Sequence, residues 1–262
     1  MNSAERSLTV SAPGRICLFG EHQDYLHLPI IAAAISRRIC INGSERVDTK
    51  VNIDLPDIRK RESFEISEEI PYVRERDYFR SVVNVLQRKG VRFSRGFDCV
   101  VHGDIPINAG TASSSALVVG WTHLLSRMSN QRKILHAEEV AQIAYEAEVL
   151  EFSEPGGMMD QFSSSVGGLI WLESFPQPKV SSLPARLKSF VLGNSHHPKD
   201  TKFILANVKD KVLALVKSLK DKHPEFSLQT VLNDELPSYR RDLDDAQFNL
   251  LAGTVVNRDI TF

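Results

Sequence analysis

The chain has 262 residues, 42% of them hydrophobic, which is material for one large or two small domains with a buried core and excludes disorder as an overall description. Lys plus Arg number 32 against 33 Asp plus Glu, with no long basic run of the kind that tracks nucleic-acid phosphates, so nucleic acid is not an expected partner. Cys17, Cys40 and Cys99 lie far apart in apolar, strand-like stretches and supply neither a disulfide framework nor a zinc pattern, so buried free thiols in a reducing compartment are expected. The opening MNSAERSLTVSAPGR lacks the charged-then-apolar order of a secretory signal, and no apolar run approaches the ~18 residues of a membrane span. A soluble cytoplasmic protein without membrane contact is the expectation.

In chain order, Leu8, Val10 and Ala12 alternate as a strand expected to end at Pro13-Gly14, and Ile16 to Phe19 reads as a second extended piece. Gly20 to Tyr25 is a polar loop. Residues 38–53 hold two β-branched runs separated by Asn42-Gly43-Ser44, and after a charged stretch Tyr78 to Lys89 carries apolar residues at helical spacing. Phe97, Cys99 and Val101 alternate as a strand that Gly103-Asp104-Ile105-Pro106 stops. Asn108 to Ser115 forms a small-residue loop, and Leu117, Trp121, Leu124 and Met128 then keep one helical face apolar. A second helix is expected from about Ala137 to Phe152, stopping before Pro155-Gly156-Gly157. Val166 to Leu172 and Phe190 to Gly193 read as strands, and a long helix as spanning about Asp200 to Lys220. No internal repeat or low-complexity linker marks a domain boundary.

Gly110, Thr111, Ala112, Ser113, Ser114 and Ser115 leave backbone N–H groups uncovered by bulky side chains, directly before a helix N-terminus. Convergent amides, the positive end of a helix dipole and spare hydroxyls are what a phosphate site needs. The run is not a Walker A loop, because the Gly-Lys-Ser/Thr ending is missing. Taken alone, it also reads as an ordinary Ser-rich helix cap.

Three stretches carry a resemblance. SAPGRICLFGEHQDY resembles the galactokinase signature, GDIPINAGTASSSAL the Gly/Ser-rich ATP loop of the same family, and EVLEFSEPGGMMDQFSSSVGG the stretch in which a Gly-x-Met-Asp-Gln run carries a catalytic aspartate. They stand in the family's order over about the first 170 residues, so the chain is similar to the GHMP kinases, closest to the galactokinase type. The resemblance implies an α+β fold, with a ribosomal protein S5 domain 2-like N-terminal domain over 1–180 and the start of a ferredoxin-like C-terminal domain over 181–262. It further implies transfer of the γ-phosphate of ATP, with Mg²⁺, to a hydroxyl of a sugar or sugar-like substrate.

Residue by residue, the resemblance gives Asp160 the role of catalytic carboxylate. It places Arg15 beside that aspartate, to keep the carboxylate ionised and stabilise developing charge. Gly110 to Ser115 would bind ATP. Ser115 and Glu148 would hold Mg²⁺, and Glu151, one helical turn on, competes with Glu148 for that place. Glu21, His22, Asp24 and Gly157 match positions that contact the sugar, the carboxylates accepting from neighbouring hydroxyls and Gly157 bringing backbone close to the substrate.

Two features depart from the pattern. The run His196-His197-Pro198-Lys199-Asp200-Thr201-Lys202 lacks the tyrosine that helps galactokinases hold galactose, and its second half resembles mevalonate kinases. No third Gly-rich motif follows residue 170, so an N-terminal fragment or truncated chain is expected, with apolar surface exposed where more chain would pack. A mevalonate-type kinase and a catalytically silent sugar- and ATP-binding relative are the rival readings. Oligomeric state is not legible.

Overall fold

The computed structural model describes residues 6–185, 187–193 and 201–262. Its organising element is a 16-residue strand, β2 (Ile30–Glu45), rich in β-branched Ile and in Ala. Along one edge runs β1 (Ser7–Phe19), antiparallel over its whole length. The other edge is shared: β5 (Phe97–Gly103) pairs with residues 39–45 and β6 (Leu169–Glu173) with residues 30–33, both antiparallel. Beyond β5 lie β3 (Lys50–Leu55), the parallel neighbour, and β4 (Lys60–Glu65); beyond β6 lies β7 (Lys179–Ser182). These seven strands form one mixed sheet.

Helices α1 (Tyr78–Arg88), α2 (Ser113–Met128), α3 (Ala137–Tyr145) and α4 (Met159–Val166) pack with this sheet. Helix α2 lies over β1 and β2, and its Trp121 is buried edge-on against Phe79 of α1 at 5.4 Å between ring centroids. The indole N–H donates to the Phe79 carbonyl at 3.1 Å, so the ring is buried without an orphaned donor.

Three expectations are corrected. Pro13-Gly14 does not end β1: the register slips between Pro13 and Arg15 and pairing resumes at Arg15–Ala34, a bulge that re-aims Arg15. Asn42-Gly43-Ser44 does not separate two strands but lies within β2, paired with β5. Gly43 is there because a Cβ would lie 2.9 Å from the Leu124 side chain of α2, and the turn falls at residues 46–49 instead, where Arg46 bridges Asp48 and Asp98. The helix expected over 137–152 is α3 followed by a π-helical turn, Glu146–Leu150, closed by Glu151 N–H to the Glu146 carbonyl at 2.9 Å. The Ala147 carbonyl is met by the Ser81 hydroxyl at 2.9 Å. Such widened turns re-aim side chains and recur at functional sites.

Beyond Ser182 the described residues contain no strand. Phe190 to Gly193, expected as a strand, has no regular structure, and Phe190, Val191 and Leu192 are exposed. Residues 194–200, including His196, His197, Lys199 and Asp200, lie outside the described residues. Helix α5 (Thr201–Lys222) starts where the sequence placed it, and a 3-10 segment, Leu236–Asp242, leads to α6 (Asp245–Thr261). These helices enclose a second core of Val212, Leu215, Leu219, Phe226, Leu251 and Val255. Leu26 and Leu28, from the loop between β1 and β2, are buried in that same core, so the polar loop at 20–25 is anchored from the C-terminal side. Val256, Ile260 and Phe262 are exposed.

Candidate active site

Arg15 is buried on β1 just past the bulge. Its Nε donates to Asp160 Oδ1 at 2.8 Å, and one Nη lies 2.6 Å from the same oxygen. The other Nη donates to the Gly110 carbonyl at 2.6 Å, and the Arg15 backbone N–H to the Thr111 carbonyl at 3.1 Å. One side chain thus ties the carboxylate at the start of α4 to the small-residue loop before α2. Burial works against the guanidinium charge, but Asp160 and Glu21 outweigh it, and the pKa of Arg15 is raised. Gly14 permits the close approach of the loop: a Cβ there would lie 2.8 Å from the Thr111 carbonyl oxygen. Asp160, expected in a turn, is the second residue of α4, and its side chain keeps 31% exposure toward the cavity.

In the loop, Asn108, Gly110 and Ala112 have left-handed φ values of 56°, 74° and 57°. Left-handed residues alternating with ordinary ones turn successive N–H groups toward one side, and the first amides of α2 add to them. Ala112 is the N-cap residue and supplies no side-chain cap, so anion binding competes with no internal acceptor there.

Ser115 and Glu148 are both buried and in contact. Gln161 Nε2 donates to Glu148 Oε2 at 2.7 Å, and the Ser114 and Ser115 side chains lie close enough to bear on the carboxylate. Burial pushes the Glu148 carboxyl pKa up; the polar Ser114, Gln161 and Ser115 side chains offset part of this, and the nearby Asp160 charge adds to it. Gln161 Oε1 is buried with no hydrogen-bond partner among the described residues. Arg76, also on the cavity wall, is committed to Glu154 by two bonds of 2.8 and 2.6 Å. Hard oxygen donors therefore crowd a buried anionic spot that no side-chain cation among the described residues pairs with directly, which fits Mg²⁺. Among the described residues no group of three or more His, Cys, Asp or Glu converges. Mg²⁺ needs no such cage, because one or two carboxylates plus phosphate oxygens and water suffice. Glu151 turns away from the cavity: Arg88 holds it with two bonds of 2.8 Å, and the Tyr72 hydroxyl also donates to it.

Glu21, His22 and Asp24 line the opposite corner. His22 has a φ of 63°, which folds the loop so that its Nε2 sits 3.8 Å from Glu21 Oε1. Asp24 is buried, with Oδ2 accepting from the Met159 N–H at 2.9 Å and Oδ1 from the Tyr25 N–H at 3.0 Å. Burial raises its carboxyl pKa, the Met159 amide lowers it, and Asp160 raises it further. Next to Gly157 the space is taken by this carboxylate: a Cβ would lie 1.9 Å from Asp24 Oδ2.

Together these groups surround one cavity of about 450 Å³. Its far wall is apolar, built from Ile39, Leu55, Ile58, Val101 and Leu117, with Asp57 at the rim accepting from the Gly103 N–H at 2.7 Å. Sequence reading missed this wall. Its residues come singly from β2, β3, the 3-10 turn after β3, β5 and α2, and the signal is apolar spacing that also describes an ordinary core face.

Residues 77–168 match the GHMP kinases N terminal domain, and residues 2–45 match the galactokinase galactose-binding signature. The two stretches bracket every residue placed around the cavity except Leu55, Asp57, Ile58 and Arg76. The chain carries the N-terminal domain of the GHMP kinase family. Among curated GHMP kinases, the galactokinase of Pasteurella multocida is 30% identical over 205 residues, 74% of this chain and 51% of its own length. That of Actinobacillus succinogenes is 30% identical over 164 residues, 62% of this chain and 42% of its own. The chain thus spans about half the length of the curated relatives it matches. In fold, it superposes on Lactococcus lactis galactokinase complexed with galactose with a TM-score of 0.80 at 20% identity, covering 98% of this chain and 68% of that one. Methanococcus jannaschii mevalonate kinase gives 0.64 at 16% identity, covering 100% and 80%. The α+β architecture of the GHMP kinases is the fold of this chain. No helix of the described residues is long and apolar enough to cross a membrane.

Proposed function

We propose that this chain is a galactokinase-like sugar kinase that binds ATP and a sugar in one cavity and transfers the γ-phosphate to an anomeric or primary hydroxyl of the sugar. The observation that carries the reading is Arg15, which holds Asp160 at 2.6–2.8 Å with two nitrogens and the phosphate-type loop with the third. Phosphoryl transfer is catalysed mainly by alignment and charge stabilisation, and this one contact fixes the acceptor-side carboxylate relative to the donor-side loop.

In this reading the amides and hydroxyls of Gly110 to Ser115 hold the ATP phosphates, and the apolar wall takes the base. Asp160 accepts or orients the proton of the sugar hydroxyl, and Arg15 keeps Asp160 ionised and faces charge developing on the transferred group. Glu21, His22 and Asp24 present acceptors to the remaining hydroxyls. Ser115 and Glu148 would hold Mg²⁺, which when bound neutralises phosphate charge. Residues 1–180 form the nucleotide-binding part, and 181–262, with its own helical core, buttresses the acceptor loop. The chemistry is assigned to the cytoplasm, where ATP is available.

The galactose-binding signature over residues 2–45 and the sugar-kinase neighbour favour a sugar over mevalonate. Product analysis after incubation with MgATP and a panel of hexoses plus mevalonate tests this. A sugar phosphate is the expected product, and phosphorylation of mevalonate alone overturns the reading.

A further inference from the structure

Helix α4 begins without a cap of its own: Met158, at the N-cap position, offers no side-chain acceptor. The acceptor comes from 135 residues upstream, as Asp24 Oδ2 takes the Met159 N–H at 2.9 Å in a buried environment. Asp24 is itself pinned, by the Tyr25 N–H on its other oxygen and by the Ser174 hydroxyl donating to its carbonyl at 2.7 Å. The chain opposite Asp24 has given up its side chain at the one place where it would interfere. Gly157 has an ordinary φ, and the three atoms nearest to a Cβ there would be the carboxyl atoms of Asp24, at 1.9, 2.1 and 2.4 Å.

We propose that Asp24 is a positioning residue for Asp160: it caps α4 from outside through the Met159 N–H and so fixes the direction of the next side chain. The inference rests on reading Asp160 as the carboxylate at the reacting hydroxyl. A negative group at a helix N-terminus is favoured by the orphan amides and the dipole. Asp160 is thereby held from two sides, by Arg15 on its oxygen and by Asp24 through the backbone N–H of the preceding residue, Met159. Asp24 keeps this role whether or not it also touches the acceptor, and Gly157 serves Asp24 rather than the substrate.

The test compares Asp24→Ala, Gly157→Ala and the double variant. Backbone amide exchange is read at Met159 and Asp160 in the ligand-free protein, and kcat and KM are measured with MgATP and sugar. Asp24→Ala is expected to speed exchange at Met159 and to lower kcat by about 100-fold, with KM for ATP unchanged. Gly157→Ala, which displaces an intact Asp24, should do the same, and the double variant should be no worse than Asp24→Ala alone, because the clash has lost its partner. Asp24→Asn keeps an amide oxygen for Met159, so it should keep Met159 protected and recover most of kcat. Unchanged Met159 exchange with a rise only in acceptor KM would overturn the proposal, as would multiplying effects in the double variant. A wild-type chain that never turns over would contradict the kinase reading, while the exchange comparison would still decide the role of Asp24.

Discussion

Burial raises the Glu148 carboxyl pKa, and this gives a pH dependence with a definite sign. Its folded carboxyl pKa is raised above the ordinary 4.5, so the folded state holds the proton more tightly than the unfolded state. That contribution to stability is complete below the ordinary carboxylate range and is lost as pH rises through the raised value. Glu148→Gln should therefore raise the melting temperature of the metal-free protein at neutral pH, with the gain shrinking as the pH falls toward 4.5. The same variant should abolish stabilisation by added Mg²⁺ with nucleotide. A thermal-shift series in pH with and without Mg²⁺ checks both, and a destabilised variant at neutral pH would contradict the account. Ala112, at a φ of 57°, gives a second residue-scale prediction. Ala112→Gly removes a Cβ from a left-handed position, and the relief exceeds or matches the added chain entropy, so chemical denaturation should show stability unchanged or up by about 1 kcal/mol. At this scale the sequence is informative where a role needs a side chain. Arg15, Asp160, Ser115 and Glu148 are all named by motif, and the structure draws them around one cavity. The Asp24–Met159 contact was not legible, because a backbone N–H has no letter in the sequence.

Among elements, what the sequence showed depended on whether tertiary contacts overrode local signals. The apolar stripe of α2 and the alternation in β5 were readable because burial acts on the residues that carry the pattern. Asn42-Gly43-Ser44 misled because the glycine answers to Leu124 across the sheet–helix interface, not to the local backbone. The π-helical turn left no periodic trace, since it closes the end of α3 and too few helical residues follow it to show the change of phase. Its support is testable. Ser81→Ala leaves the buried Ala147 carbonyl without the hydroxyl at 2.9 Å and should cost about 1–3 kcal/mol in urea unfolding. Because Glu148 rides on that turn, Mg²⁺-dependent nucleotide binding should weaken in parallel. Loss of stability with binding intact would separate the turn from the site.

Over the whole molecule, the acceptor corner depends on the C-terminal helices. Besides the burial of Leu26 and Leu28, Gln23 Nε2 donates to the Thr254 carbonyl at 3.3 Å, and Gln229 Nε2 to the Leu26 carbonyl at 3.1 Å. Leu28→Ala, at a position only 1% exposed, should cost about 2–5 kcal/mol and raise the acceptor KM more than that for ATP, as steady-state kinetics would show. Such a coupling between distant segments is invisible in the linear sequence, where Gly20 to Tyr25 reads as a polar loop and no more. The central claim is that one cavity transfers phosphate through Asp160 held by Arg15. Its most direct measurement is the rate of phosphoryl transfer from MgATP to sugar by the wild-type chain and by Asp160→Asn, with binding of both ligands followed in parallel. The account predicts transfer by the wild type, a loss of about 10²–10⁴-fold in the variant, and ATP binding retained. A wild-type chain that binds both ligands and never turns over, or a variant that transfers at the wild-type rate, would contradict it.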